Sequence, residues 1–175
     1  MEDMSDVNAL MEQYLSFSLD GELFAIDVAC IHEIIDRTDL TRIPRMPDFM
    51  RGVINLRGSV VPVVDLRMKF DMGQVEDTVD SCIVVLEVDV DGEMTAVGAF
   101  VDAVQEVFDF GAEQMEPPPK MGTRLNTDFI KGMGRRGDGF IIVLDASRVF
   151  SVDEIQAVQS AAQADSNDES EVSSQ

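Results

Sequence analysis

Apolar and polar residues alternate along much of this chain with the two-residue period of β-strands. "YLSFSL" (14–19) predicts a strand, Asp20-Gly21-Glu22 a tight turn, and "LFAID" the returning strand, because Asp-Gly between such runs marks a hairpin. "ACIHEIID" (29–36) reads as a short turn leading into another strand. Residues 37–48, with Pro44 and Pro47, form an irregular loop, and "PDFMR" predicts one helical turn opened by its proline. "GVINL" and "SVVPVVD" form a hairpin around Arg57-Gly58, where Gly58 suits a positive φ. An acidic linker covers 71–80. "CIVVLEVDV", a turn and "TAVGAFVDAVQEVFDF" follow, then a long loop with Pro117, Pro118 and Pro119 and a last hairpin. Ser151-Val152-Asp153-Glu154 fits a capping box ahead of a short C-terminal helix running to about residue 163. The segments 1–13 and "ADSNDESEVSSQ" (164–175) read as disordered, the latter carrying acid and no base.

The chain repeats itself. "FMRGVINLRGSVVPVVDLRMKF" (49–70) and "FIKGMGRRGDGFIIVLDASRVF" (129–150) agree at Phe49/Phe129, Gly52/Gly132, Val63/Val143, Asp65/Asp145 and Phe70/Phe150. A base faces a base at Arg51/Lys131, but Arg57 faces Gly137. "IHEIID" (31–36) meets "VQEVFD" (104–109), and "DGE" at 20–22 recurs at 91–93. The blocks keep their order at offsets of 71, 73 and 80, which indicates an internal duplication of about 70 residues. Each copy supplies about five short strands, and five strands in that length close most economically into a small barrel. The expected fold is therefore all-β, two five-stranded barrels packed together, barrel 1 at about 14–80 and barrel 2 at about 81–152.

Two runs break the alternation. Val60-Val61-Pro62-Val63-Val64 and Phe140–Leu144 are continuously apolar, as in strands covered on both faces. One face fills its own barrel, and the other needs a cover, for which the sister barrel is the nearest candidate. The expectation is that these two runs seal against each other in one cooperative unit. Pro62 cannot donate to a ladder, so its strand should lie at an edge or bulge there.

Composition narrows the function. The 175 residues carry 34 acids against 13 bases, a net charge of −21. Such a field repels nucleic acid and anionic lipid. No run approaches ~18 apolar residues, so no direct membrane insertion is expected, and the N-terminus lacks the layout of a secretory signal. Cys30 and Cys82 read as free thiols of a reducing cytoplasm rather than as a disulfide framework.

Catalytic signals are sparse. The single histidine, His32, lies in a strand that places Ile31 and Glu33 on one face and His32 on the other. No nucleophile elbow or phosphate loop is present, and "RRGDG" (135–139) reads as a hairpin turn. Glu87, Asp89, Asp91 and Gly92 mimic the start of a calcium loop, but its twelfth position is Gly98 and its flanks are strands. An acidic hairpin is the better reading, with a calcium or small-ligand barrel as the alternative; no enzyme, cofactor or metal is expected. Arg57 beside a turn glycine is either an ordinary surface cation or an interface anchor.

The stretch "YLSFSLDGELFAIDVACIHEIID…TRIPRMPDFMRGVINLRGSVVPVVDLRMKF", with "VGAFVDAVQEV", "NTDFIKGMG" and "FIIVLDASRVF" after it, resembles the CheW family of bacterial chemotaxis coupling proteins over about 14–152. That resemblance implies paired SH3-like barrels, no enzyme activity, and a cytoplasmic scaffold recruited to receptor arrays. It joins the cytoplasmic tip of methyl-accepting chemoreceptors to the regulatory domain of a CheA-like histidine kinase, or serves a non-flagellar chemosensory pathway. By the same resemblance Val28, Ile31, Glu33 and Arg57 contact the receptor, and Val101 and Val104 line the opposite wall of a groove between the barrels. A helical tip would lie in that groove, apolar strip first and polar rim second.

Overall fold

The computed structural model describes residues 11–72, 76–90, 92–117, 127–137 and 139–150. The expected helix after Ser151 and the loop at Pro118–Pro119 lie outside the described residues. β1 (Met11–Leu19) and β2 (Glu22–Asp27) form the first hairpin, with Asp20 and Gly21 at φ 50° and 80°. Two successive positive φ angles twist the turn to match its strands. A 3₁₀ turn (Val28–Cys30), capped by the Asp27 carboxylate, leads to β3 (Ile31–Asp36). β4 (Met50–Leu56), β5 (Ser59–Asp65) and the helical turn α1 (Leu66–Lys69) complete the first copy. "PDFMR" is a hydrogen-bonded turn, the Met50 N–H donating to the Pro47 carbonyl at 2.9 Å, and not a helix. The second copy comprises β6 (Cys82–Val90), β7 (Glu93–Val101), β8 (Ala103–Gly111), β9 (Ile130–Arg136), β10 (Gly139–Leu144) and α2 (Ala146–Val149).

The two five-stranded sheets run β8-β1-β2-β10-β9 and β3-β6-β7-β5-β4. Exchanging each strand for its duplicate converts one order into the other, so the repeat is carried into three dimensions. The expected barrels at 14–80 and 81–152 are corrected by this order. Each copy lends its first hairpin to the other copy's last three strands, so the unit β3–β7 is continuous and the other is built from both ends of the chain. The reason lies in the links. Only Asp102 separates β7 from β8, and the tightest common hairpin loop needs two residues. β8 therefore cannot fold back beside β7 and runs on into the other sheet.

Isolated bridges close each sheet in the same way. Thr41 pairs with Val53, and Glu116 with Met133, through reciprocal hydrogen bonds of 2.7–3.0 Å. These closures explain the shared glycines. A Cβ on Gly52 would lie 2.5 Å from the Thr41 carbonyl oxygen, and one on Gly132 would lie 2.3 Å from Met115 Cγ. Beside them, register shifts leave Arg51 and Lys131 as extra residues in their strands, and such bulges re-aim side chains. The shared aspartates cap the helical turns, Asp65 accepting from the Arg67 N–H and Asp145 from the Ser147 N–H.

Among the described residues, three apolar clusters hold the fold. Tyr14, Ala25, Phe108, Phe110, Ile141 and Val143 fill one barrel. Ile54, Val61, Val63, Ile83, Val85 and Phe100 fill the other. The largest cluster lies between them and is built mainly from the other faces of the lent hairpins, such as Leu15, Phe17, Phe24, Val84, Leu86 and Val97. The expectation that 60–64 seals against 140–144 is thereby corrected. Val61, Val63, Ile141 and Val143 point into their own barrels, and only Val64 and Leu144, at the strand ends, are fully buried in the shared cluster. Val60 and Phe140 stand 45% and 54% exposed. The lent hairpins already occupy the space between the barrels, so β5 and β10 reach it only at their ends. Pro62 does sit at a free edge, since β5 pairs with β7 only from Val63 onward.

Candidate functional site

The chain crosses between the sheets twice, at 28–30 and at 102. At the duplication offset of 73, Val28 matches Val101, Ile31 matches Val104, and Glu33 matches Glu106. Of the expected site residues, Val28 with Val101 and Ile31 with Val104 are therefore mates from the two crossings, whereas Glu33 and Arg57 come from the first copy alone. Val28, Ile31 and Val104 are half-buried against the shared cluster. Val101 is fully buried there, so it cannot line an exposed groove wall, which corrects that expectation.

β3 also departs from simple alternation. Ile31 pairs with Leu86, whereas Glu33 pairs with Val85, leaving His32 as a bulge. Cross-strand partners share a face. Leu86 faces the shared cluster and Val85 the barrel interior, so Ile31 and Glu33 lie on opposite faces rather than one. The bulge lets one short strand turn an apolar residue toward the shared cluster and a carboxylate to the other face.

Glu33 and Arg57 meet. Arg57 Nη1 lies 3.2 Å from Glu33 Oε1, and Nη2 donates to Oε2 at 3.3 Å. Arg57 is 71% exposed and Glu33 is 23% exposed. His32 leans on the same rim, with Nδ1 3.2 Å from Glu87 Oε1 and Nε2 3.8 Å from Glu33 Oε1. Arg57 holds φ 53°, and its duplicate Gly137 holds φ 59°. Glycine adopts that backbone freely, whereas an L-residue gives up ~1–2 kcal/mol. An exposed ion pair returns only ~0–1 kcal/mol. Stability alone therefore does not explain an arginine here. The second copy did not lose its base. Arg136, one residue before Gly137, pairs with Glu106 and lies over the Phe108 ring at 4.3 Å.

A second group escaped the sequence reading. Arg67 is 2% exposed and binds Asp65 at 2.8 Å, Asp77 at 3.0 Å and Asp102 at 2.9 Å. Arg51, turned inward by its bulge, adds bonds to Asp65 and Asp77 and lies 4.2 Å above the Phe100 ring. Burial alone would weaken the Arg67 charge, but hydrogen bonds to Asp65 and Asp77 outweigh it and raise its pKa. Burial would likewise raise Asp77, yet bonds from Arg51 and Arg67 leave its carboxyl below the ordinary value. The network ties β5, the linker and the crossing residue Asp102 together. Its one sequence signal was a base directly after the buried run 61–66. Cys82 is buried and Cys30 half-buried, and burial pushes both thiols up.

The calcium-like run is otherwise engaged. Asp89 Oδ1 accepts the Gly92 N–H at 2.8 Å, and Glu87 faces His32. Among the described residues, no group of three or more His, Cys, Asp or Glu could hold a metal ion. Among them, too, no helix is long and apolar enough to cross a membrane.

Comparison with known proteins agrees with this architecture. Residues 13–154 match the model of the CheW-like domain family. The chemotaxis protein CheW of Klebsiella aerogenes is 34% identical over 151 residues, covering 86% of this chain and 89% of that protein. CheW of Thermotoga maritima is 33% identical over 146 residues, covering 81% and 90%. The crystal structure of the CheW scaffolding protein of Thermoanaerobacter tengcongensis superposes with a TM-score of 0.73 at 35% identity, covering 82% of this chain and 90% of that one.

Proposed function

The chain belongs to the CheW-like domain family, and from that premise we propose that it is a non-enzymatic chemotaxis adaptor joining receptor tips to a CheA-type kinase. The bridging is passive chemistry. A helical receptor tip lays an apolar strip against Val28, Ile31 and Val104 at the crossings, and the Glu33–Arg57 pair forms a charged rim that fixes its register. The regulatory domain of the kinase occupies other surface, so the adaptor holds both partners at once. It works in the cytoplasm and reaches the membrane only through the receptors.

The observation that carries this reading is Arg57 kept in a left-handed backbone beside Glu33, at an energy its ion pair does not recover. Close charge pairs across an interface can couple by ~1.5–7 kcal/mol, and Arg is a frequent anchor there. Glu33→Lys and Arg57→Glu are each expected to leave the fold intact while receptor-controlled kinase activity falls at least about tenfold in a reconstituted receptor–kinase assay. Normal coupling by both variants would refute the site.

A further inference from the structure

A second recessed surface lies away from that rim. It is a cleft of about 700 Å³ between the tip of the β1–β2 hairpin, the start of β10 and the chain just after α1. Phe24 and Phe70 form its floor, fully buried, with ring centroids 6.0 Å apart. Met72 and Met133 supply adaptable walls, and Phe140, 54% exposed, forms the lip. This is the size and apolar character of a site that takes a side chain from a ligand.

The rim decides which ligand. Asp20, Glu22 and Asp71 border the cleft and are exposed, and none of their carboxylates has a partner among the described residues. The single base on the wall among the described residues, Arg136, is already engaged by Glu106. Asp20 and Asp71 hold φ 50° and 57°, which fixes their positions beside the opening. An apolar floor ringed by unmatched acids complements an apolar residue flanked by bases, the pattern of one face of a basic amphipathic helix.

We propose that this cleft binds a basic amphipathic helix of a partner protein, one large apolar side chain seated on Phe24 and Phe70 and flanking Lys or Arg paired with Asp20, Glu22 and Asp71. The inference is independent of the receptor rim, which lies on the other barrel's β3 and β4–β5 turn.

The test is a titration of the full chain with a short leucine–lysine amphipathic helix, followed by methyl NMR of Met72, Met133 and Ile142. Shifts are expected to concentrate on those methyls, and a leucine–glutamate helix is expected to give none. Phe140→Ala should weaken binding at least about tenfold. Combined Asp20→Asn, Glu22→Gln and Asp71→Asn should weaken it similarly, asparagine tolerating the left-handed backbone. Combined Glu93→Gln, Asp109→Asn and Glu113→Gln removes the same charge from exposed positions elsewhere and should change binding less than about twofold. Equal loss in both charge sets would mean attraction to the overall field and would overturn the proposal. So would shifts centred on Val28 and Ile31, or unchanged affinity in Phe140→Ala with its melting temperature preserved.

Discussion

Cutting the chain at residue 76 separates the two copies of the repeat and tests the strand exchange directly. The fragment 1–76 keeps the β1–β2 and β4–β5 pairings but loses β1–β8, β2–β10, β3–β6 and β5–β7. It contains Leu15, Phe17, Leu19, Phe24, Ile26, Ile54, Val61, Val63, Val64, Leu66 and Phe70, all buried in the whole chain. Full burial of such side chains contributes about 1.5–3 kcal/mol each. If the fragment loses half of that burial, the deficit for these residues is about 8–16 kcal/mol. Whole domains are stable by only ~5–15 kcal/mol. Neither fragment should fold alone, but an equimolar mixture should reassemble, because each supplies the strands the other lacks. Far-UV circular dichroism and gel filtration of 1–76, 77–175 and their mixture give the readout. A cooperative thermal transition in either fragment by itself would refute the reasoning, since it would mean that one copy can close its own barrel.

Three further outcomes follow from the geometry. Gly52→Ala should cost about 3 kcal/mol or more, from left-handed strain and a Cβ 2.5 Å from a backbone oxygen, whereas Gly58→Ala, with open space around it, should cost about 1 kcal/mol; urea unfolding separates them. Asp77, held below its ordinary value of 3.8 against the pull of burial, contributes stability that is present above that value and lost as pH falls through its folded pKa. Asp77→Asn should therefore lower stability by about 1–2 kcal/mol near neutral pH, with the gap to the parent closing below pH 4; a constant gap across urea midpoints from pH 6 to 3 would contradict this. The double reversal Glu33→Arg with Arg57→Glu should retain the melting temperature within about 2 °C yet fail to restore coupling, because the partner reads the sign of each charge; full restoration would make the pair merely structural.

Local chemistry made the elements legible and left their partners hidden. Asp20-Gly21 and Arg57-Gly58 marked hairpins because their backbones demand positive φ. The duplication was visible because its shared residues each do a local job: Gly52 and Gly132 permit closure, while Asp65 and Asp145 cap helical turns. Which hairpin joins which sheet depended on the single-residue link at Asp102, a constraint that strand periodicity does not express. The same limit misplaced Val101, whose burial in the shared cluster depends on which strands pack over it. The bulge at His32 was equally silent, because alternation in "IHEII" cannot reveal a skipped pairing. Glu33 and Arg57 were singled out separately by family resemblance, and their contact emerged only when the closing bridge brought the β4–β5 turn to β3.

Strand exchange also sets a timetable for synthesis. β1 and β2 leave the ribosome first, yet their partners β8 and β10 follow some eighty to one hundred and twenty residues later in the sequence. During that interval Tyr14 and Ala25 lack their native cover from β8 and β10, while strands β3 to β7 emerge as an uninterrupted set. Such long-range pairing slows folding and prolongs exposure of sticky surface. A nascent chain stalled before β10 would thus hold one module fully stranded and the other an open clasp.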